Sequence, residues 1–294
     1  MSFADELRGE LAQIPVKKPC CRKALTWGLL WVAELDEEKH ARVIYKQEGT
    51  AALASQMIRA TFGKAPVQRI FGKCGHRFWE QSFFAPSFYK SYKQLESEAL
   101  SLSDLVDPSC EGCRSSFLRG LFLASGSVND PHKNFHLEML LPEARVPMTD
   151  AFLCDCGYPP KHIVRPKGVG LYYKESAAVE DLLALMGAQH IIFEVINSRI
   201  EREIRNNENR ATNCVAKNIE KTIFAATRHM EAINKLMEHG KLENLPEGVK
   251  NTAMLRYRNP DATLDELARM HEPTISKSGL NHRLQKILEA AEDL

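Results

Sequence analysis

Thr263–Leu294 reads TLDELARMHEPTISKSGLNHRLQKILEAAEDL. Thr263 followed three residues later by Glu266 is a capping box, so a helix starts there. Leu264, Leu267 and Ala268 supply its apolar face, and His271 and Pro273 end it. Thr274 or Ser276 can cap the next helix. In that helix Leu280, Leu284, Ile287 and Leu288 recur at helical spacing, with Ala291 further on. Two helices joined by a short turn meet the requirement of a helix-turn-helix. The other face of the second helix carries Ser276, Lys277, Ser278, Asn281, His282, Arg283, Gln285 and Lys286. Asparagine, glutamine, serine and arginine match donor and acceptor patterns on base edges, and lysine suits phosphate. These eight residues are the candidate DNA-binding set. Two ordinary surface helices at a domain end are the bland alternative, and spacing alone does not separate the two.

Upstream, Leu245-Pro246 opens a further helix that Pro260 closes, so residues 243–294 form an all-helical unit. Residues 197–242 read as a connection. A helix is expected over Phe193–Arg205; the charged stretch Arg199–Arg210, RIEREIRNNENR, reads as a hinge or linker or as an ion-paired helix surface, and a long helix follows from Cys214 to Glu238, ended by His239-Gly240. Arg199, Arg202, Arg205 and Arg210 are candidates for phosphate or interdomain contacts. Residues 19–196 mix helix and strand. Helices are expected over 20–33, 51–61, 114–124 and 145–154, and strands over 41–46, 67–71, 136–140, 161–165 and 169–174. Helix, strand, strand, helix appears twice, a candidate duplication. The aromatic segment 72–90 reads as strand or loop. Residues 1–18 contain a short amphipathic helix with Phe3, Leu7, Leu11 and Ile14 on one face, capped by Ser2 with Asp5 three residues on.

The chain has 294 residues, a formal net charge of +1 and 26% charged residues, which describes an ordinary globular protein without a global positive field. The N-terminus lacks the basic-then-apolar order of a signal peptide, and no apolar run is long enough to span a membrane. A cytoplasmic protein with reduced thiols is therefore expected, despite eight cysteines. Cys110-x-x-Cys113 has the spacing of half a zinc site, with Cys154, Cys156 and His162 as an imaginable second half. Cys20-Cys21 has no useful partner spacing, and cysteines that pack as small hydrophobes are the simpler expectation, with no metal and no cofactor. His76 and His136 stand alone and read as structural. No phosphate loop, nucleophile elbow or HExxH helix is present.

Four segments in order carry a family resemblance: MSFADELRGEL at the start, FLRGLFLASGSVNDP from Phe117 to Pro131, RNNENRATNCVAKNIEKTIFAA from Arg205 to Ala226, and ISKSGLNHRLQKI from Ile275 to Ile287. Tyr172–Ser176, YYKES, adds a fifth short match. Together they resemble the WhiA family of bacterial sporulation and cell-division regulators. The resemblance implies an α+β N-terminal LAGLIDADG-like domain with two pseudo-repeats, joined to an all-α helix-turn-helix domain. It also implies a sequence-specific DNA-binding transcriptional regulator, tied to sporulation, cell division and chromosome segregation. Double-stranded DNA is the expected partner, with RNA polymerase or another regulator as further partners and a nucleoid-associated location. A protein-interaction or structural chromosome-associated factor is the alternative.

LAGLIDADG nucleases place one carboxylate at the foot of each of two packed helices, to hold a divalent metal at the scissile phosphates. Aligning Leu118–Gly126 with Leu25–Ala33 puts those positions at Ser125 and Val32. Neither residue can ligate a cation as a carboxylate would, so no catalytic residue and no enzyme activity is expected. Gly28 and Gly120 are expected to preserve close helix packing.

Overall fold

In the computed structural model, which describes residues 2–73, 75–97, 100–292 and 294, the chain separates into two compact units, Met1–Arg202 and Glu203–Leu294. Cys74 lies outside the described residues.

The first unit is built on two helices, α2 (Pro19–Leu30) and α5 (Glu111–Ser125), which lie side by side in the same direction. Their contact centres on two glycines. A Cβ on Gly28 would lie 2.2 Å from the Phe117 carbonyl oxygen and 2.8 Å from the Leu121 nitrogen. A Cβ on Gly120 would lie 2.5 Å from the Leu25 carbonyl oxygen and 2.8 Å from the Leu29 nitrogen. Backbone therefore meets backbone, which only glycine permits. Leu25, Leu29, Phe117 and Leu121 are fully buried around this crossing.

Each helix leads into a four-stranded antiparallel sheet. The first contains β1 (Glu34–Leu35), β2 (His40–Tyr45), β3 (Val67–Lys73) and β4 (His76–Phe84) in the order β1-β2-β4-β3. The second contains β5 (Gly126–Val128), β6 (Leu137–Leu141), β7 (Lys161–Arg165) and β8 (Gly168–Tyr173) in the order β5-β6-β8-β7. The two orders are the same, so the faint duplication in the sequence is a real structural repeat. Helices α3 (Glu48–Phe62) and α6 (Val146–Asp155) occupy matching places in the chain, each after its repeat's second strand. Alternation along β2 buries Ala41, Val43 and Tyr45 and exposes Arg42 and Ile44.

Segment 72–90, left between strand and loop by the sequence, resolves into β4 followed by α4 (Pro86–Glu96), with Pro86 at the first helical position. Its aromatic residues Trp79, Phe83 and Phe88 are core, and Phe84 is exposed. Phe88 packs on Trp27 with ring centroids 4.8 Å apart, and its neighbours Phe83 and Tyr92 are also buried.

Helix α1 (Phe3–Gln13) carries the expected capping box between Ser2 and Asp5, and buries Leu7 and Leu11. It also ties the repeats together. Arg8, buried, donates to the Gly126 carbonyl at 2.7 Å. The Glu10 carboxylate accepts backbone N–H bonds from Gln189, His190 and Ile191, at the N-terminus of the next long helix, where negative charge is favoured. After α7 (Ser176–Met186) that helix, α8, runs without a break from Ile191 to Glu238. Of the two readings of Arg199–Arg210, the helix surface holds and the hinge does not: the stretch is helical throughout. Its alternating charges act as a solvated helix face, and the boundary between units falls inside the helix.

The second unit contains the C-terminal part of α8, α9 (Glu247–Arg258), α10 (Leu264–Arg269) and α11 (Lys277–Glu292). Its own core joins Ile233 and Leu236 to Val249, Ala253, Leu267, Leu280, Leu284 and Ile287. Among the described residues no helix is long and apolar enough to cross a membrane.

Candidate nucleic-acid interface

α10, the turn and α11 stand as the sequence spacing implies. Thr263 and Glu266 close the capping box at the start of α10. Ser276 Oγ accepts the Gly279 N–H at 3.1 Å and so caps α11. The turn is pinned by the Ile275 N–H on the Ala268 carbonyl, 3.2 Å, and by buried His271, whose Nε2 lies 3.3 Å from Thr252 Oγ1. Leu280, Leu284, Ile287 and Ala291 are buried. Ser278, Asn281, His282 and Gln285 are exposed, and their spacing places them on one stripe opposite that buried face. Lys286 borders the stripe and is also exposed.

The structure divides the eight candidate residues. Ser276 serves as the cap. Lys277 forms an exposed pair with Asp265 at 2.8 Å, a contact that solvent weakens and that leaves its charge accessible. Gln285 donates to Glu289 at 3.3 Å across one helical turn. Half-buried Arg283 stands apart from the stripe: its guanidinium packs against α9, with Nη1 donating to the Gly248 carbonyl at 3.2 Å. A Cβ on Gly248 would come within 3.2 Å of the guanidinium carbon. Gly248 thus makes room for Arg283, which fastens α11 to α9 instead of pointing outward. Nothing in the helical spacing reveals this, because the acceptor lies on another helix.

The four arginines of α8 divide likewise. Arg199 donates to Glu180 at 2.8 Å. Arg202 donates to the Pro131 and Lys133 carbonyls and lies over the Phe135 ring. Both anchor the start of α8 to the first unit. Arg205 and Arg210 are exposed.

The feet of α2 and α5 carry no carboxylate. The glycine crossing sets the register between the repeats: Gly28 answers to Gly120, Leu25 to Phe117, and Leu29 to Leu121. Ser125 therefore answers to Ala33, one residue beyond the Val32 expected from sequence alignment. The chemical conclusion is unchanged, since Ala33 is a buried methyl and the Ser125 hydroxyl donates to the Leu121 carbonyl at 2.9 Å. Glu34 pairs with Arg42, and Asp130 accepts the His132 N–H in a turn.

One arginine of each sheet is neutralised by neighbouring carboxylates. Arg42 lies between Glu34 and Glu80. Arg165 forms a two-pronged bond to Glu138, at 2.9 and 2.8 Å. That bond, with His136 adding to it against the cost of burial, holds the Glu138 carboxyl down to about 2. His136 is structural as expected, stacked on Tyr172. Ile44 is exposed on the same face as Arg42, and Arg69 of β3, also exposed, shares that face.

The cysteines do not group as the sequence spacing implied. His162 Nε2 lies 2.8 Å from Asp150, and Cys154 is exposed. Cys110 and Cys113 instead meet Cys20 and Cys21, the pair without a useful spacing.

Comparison with known proteins matches residues 209–291 to the WhiA C-terminal HTH domain and residues 114–205 to the WhiA LAGLIDADG-like domain. The chain is 32% identical to the probable cell division protein WhiA of Syntrophomonas wolfei, over 100% of this chain and 99% of that one. It is 33% identical to the protein of the same name from Macrococcus caseolyticus, over 100% and 97%. The crystal structure of full-length DUF199/WhiA from Thermotoga maritima superposes with a TM-score of 0.61 at 23% identity, covering 100% of this chain and 99% of that one. The isolated N-terminal LAGLIDADG domain of DUF199/WhiA gives 0.54 at 20% identity, covering 67% and 96%. These two structural likenesses establish the fold of both units.

Proposed function

The chain belongs to the WhiA family, and from that premise we propose that it is a sequence-specific DNA-binding regulator of transcription, acting in cell division, chromosome segregation and sporulation, with α11 as its recognition helix. The observation that carries this reading is the stripe of Ser278, Asn281, His282 and Gln285, exposed on the face of α11 opposite its buried leucines. Asn281 and Gln285 have the paired donor and acceptor that adenine presents in the major groove. Lys286, Lys277 and the N-terminal N–H groups of α11 suit the flanking phosphates. The unit around α11 has its own core, which holds the stripe rigid.

The first unit takes a different part. With Ala33 and Ser125 at the helix feet there is no acid pair there to hold a metal, and the sheet arginines Arg42 and Arg165 are paired internally. We assign it no strand cleavage and no primary role in gripping DNA. Contact with RNA polymerase or another regulator is its proposed task.

The test is selection of bound fragments from a genomic pool by the full-length protein, in Mg²⁺, beside Asn281→Ala/Gln285→Ala and Lys286→Ala. The double substitution is expected to abolish preference among fragments, at about 1–3 kcal/mol per lost base contact. Lys286→Ala is expected to weaken all fragments alike and to lower the salt slope by about one. Unchanged fragment preference in the double variant would remove α11 as the recognition element, and cleavage in Mg²⁺ would refute the non-enzymatic reading.

A further inference from the structure

Helices α2 and α5 both begin with cysteine. Cys20 and Cys21 occupy the first turn of α2, Cys110 directly precedes α5, and Cys113 lies in its first turn. All four Sγ atoms lie within 4.8 Å of one another. Cys21 and Cys110 are 3.8 Å apart, Cys20 and Cys110 3.9 Å, and Cys21 and Cys113 3.9 Å. A zinc ion bound by four thiolates at about 2.3 Å, in a tetrahedron, sets its sulfurs about 3.8 Å apart. These three spacings match that edge, and the remaining pairs stay within 4.8 Å. A disulfide would need sulfurs about 2 Å apart, and these cysteines are free. A two-iron cluster, which divides its cysteines between separate irons, needs a wider set.

We propose that Cys20, Cys21, Cys110 and Cys113 bind one zinc ion in a closed, four-thiolate structural site that staples the start of α2 to the start of α5.

Two further features favour an anionic metal centre over four packed thiols. Arg119 is 4% exposed, and its Nε and Nη2 have no hydrogen-bond partner among the described residues. Burial pulls the Arg119 pKa down, and a negative charge at Cys21 would act against that shift. A buried cation without a counter-charge is costly. Four thiols that bind Zn²⁺ release four protons and leave a centre of net charge −2, which supplies that counter-charge. The positive ends of two helices meet at the same place and favour thiolate further. Gly112, between the α5 cysteines, leaves the space free: a Cβ there would stand 3.0 Å from Cys21 Sγ. Four protein ligands leave no open position, so the site is structural and not catalytic. It would clamp the helix pair at one end while the glycine crossing holds it further along.

The full-length protein, purified under reducing conditions, is expected to carry one zinc per chain by elemental analysis. Replacement with Co²⁺ is expected to give the sulfur-to-metal charge-transfer and visible bands of a tetrahedral thiolate site. Cys110→Ser/Cys113→Ser should lose both signals, whereas Cys154→Ser/Cys156→Ser should keep them. Should the first variant fail to fold, chelation of the wild type serves instead. It should release the zinc, expose four additional reactive thiols and lower the thermal midpoint of the tryptophan signal. The proposal is overturned by protein from zinc-replete cells that carries no stoichiometric zinc and gives no cobalt spectrum. Zinc retained after Cys110 and Cys113 are replaced would equally overturn it, as would zinc lost with Cys154 and Cys156. Iron at the same stoichiometry would overturn the metal assigned.

Discussion

Replacing Gly28 with alanine adds a single methyl group where two helix backbones touch. That methyl would sit 2.2 Å from the Phe117 carbonyl oxygen, 2.8 Å from the Leu121 nitrogen and 3.0 Å from the Gly120 Cα. Ordinary contact begins near 3.4 Å, so α2 and α5 must part by about 1.2 Å at the crossing. All three obstructing atoms are backbone, and none can rotate aside. Parting the helices also loosens Leu25, Leu29, Phe117 and Leu121, each fully buried. The cost belongs at or above the upper end of the overpacking range, about 3–4 kcal/mol. Alanine returns about 1 kcal/mol through its better helix propensity. The net expectation is a loss of about 2–3 kcal/mol, or roughly 5–10 °C in Tm for a unit of this size. The assay reports on the first unit alone, because all three tryptophans, Trp27, Trp31 and Trp79, lie in it. Gly9→Ala in α1 is the control, since a Cβ there meets nothing within 4 Å, and it should be neutral or slightly stabilising. Gly28→Ala/Gly120→Ala should cost less than the sum of the single changes, because one separation accommodates both methyls. A Gly28→Ala protein as stable as wild type would refute the backbone-contact account of the helix pair.

Arg283→Ala should destabilise the second unit by about 1–2 kcal/mol, through loss of the bond to Gly248 and of the packing around it. Asn281→Ala should leave stability unchanged, and urea unfolding with fragment binding measured on both variants separates the two roles. An equally stable Arg283→Ala protein with weakened binding would return Arg283 to the DNA-contacting set. His229 is buried, with Nδ1 unpaired, and burial, with Arg256 and Arg228 adding to it, pulls its pKa down to about 4. The unfolded chain takes up this proton near 6.5 and the folded one only near 4. Stability is therefore complete above about pH 6.5 and falls as pH drops towards 4, by about 2–3 kcal/mol for this residue. Unfolding midpoints of the second unit measured across that window should flatten in His229→Leu, and an unchanged slope there would show that His229 is not the group responsible.

Local signals were legible wherever a residue's role is settled by near neighbours in the chain. Ser2 with Asp5 and Thr263 with Glu266 cap helices at the expected places, because a capping box closes within four residues. Strands β2, β3, β6, β7 and β8 and the leucine face of α11 followed from periodicity, whereas the short β1 and β5 carry too few residues to show one. α4 escaped notice because its aromatic residues serve the core and mimic strand composition. The Arg199–Arg210 stretch fits both a linker and a solvated helix face, because the two share the same charge density, and the structure selects the helix.

By itself, the sequence determined the family, the two-part architecture, the helix-turn-helix with its polar face, and the lack of carboxylates at the helix feet. The helix pair and its polar face rest on residue type at short spacing, and the family, the architecture and the acid positions rest on the resemblance carried by segments in order along the whole chain. Only the tertiary structure decided that Ser125 answers to Ala33, that Arg283 fastens α11 to Gly248, and that Cys20 and Cys21 meet Cys110 and Cys113. Each of these joins residues on different helices. Their distance depends on how closely backbones approach, which at the centre of this fold is set by two glycines that carry no side chain to read.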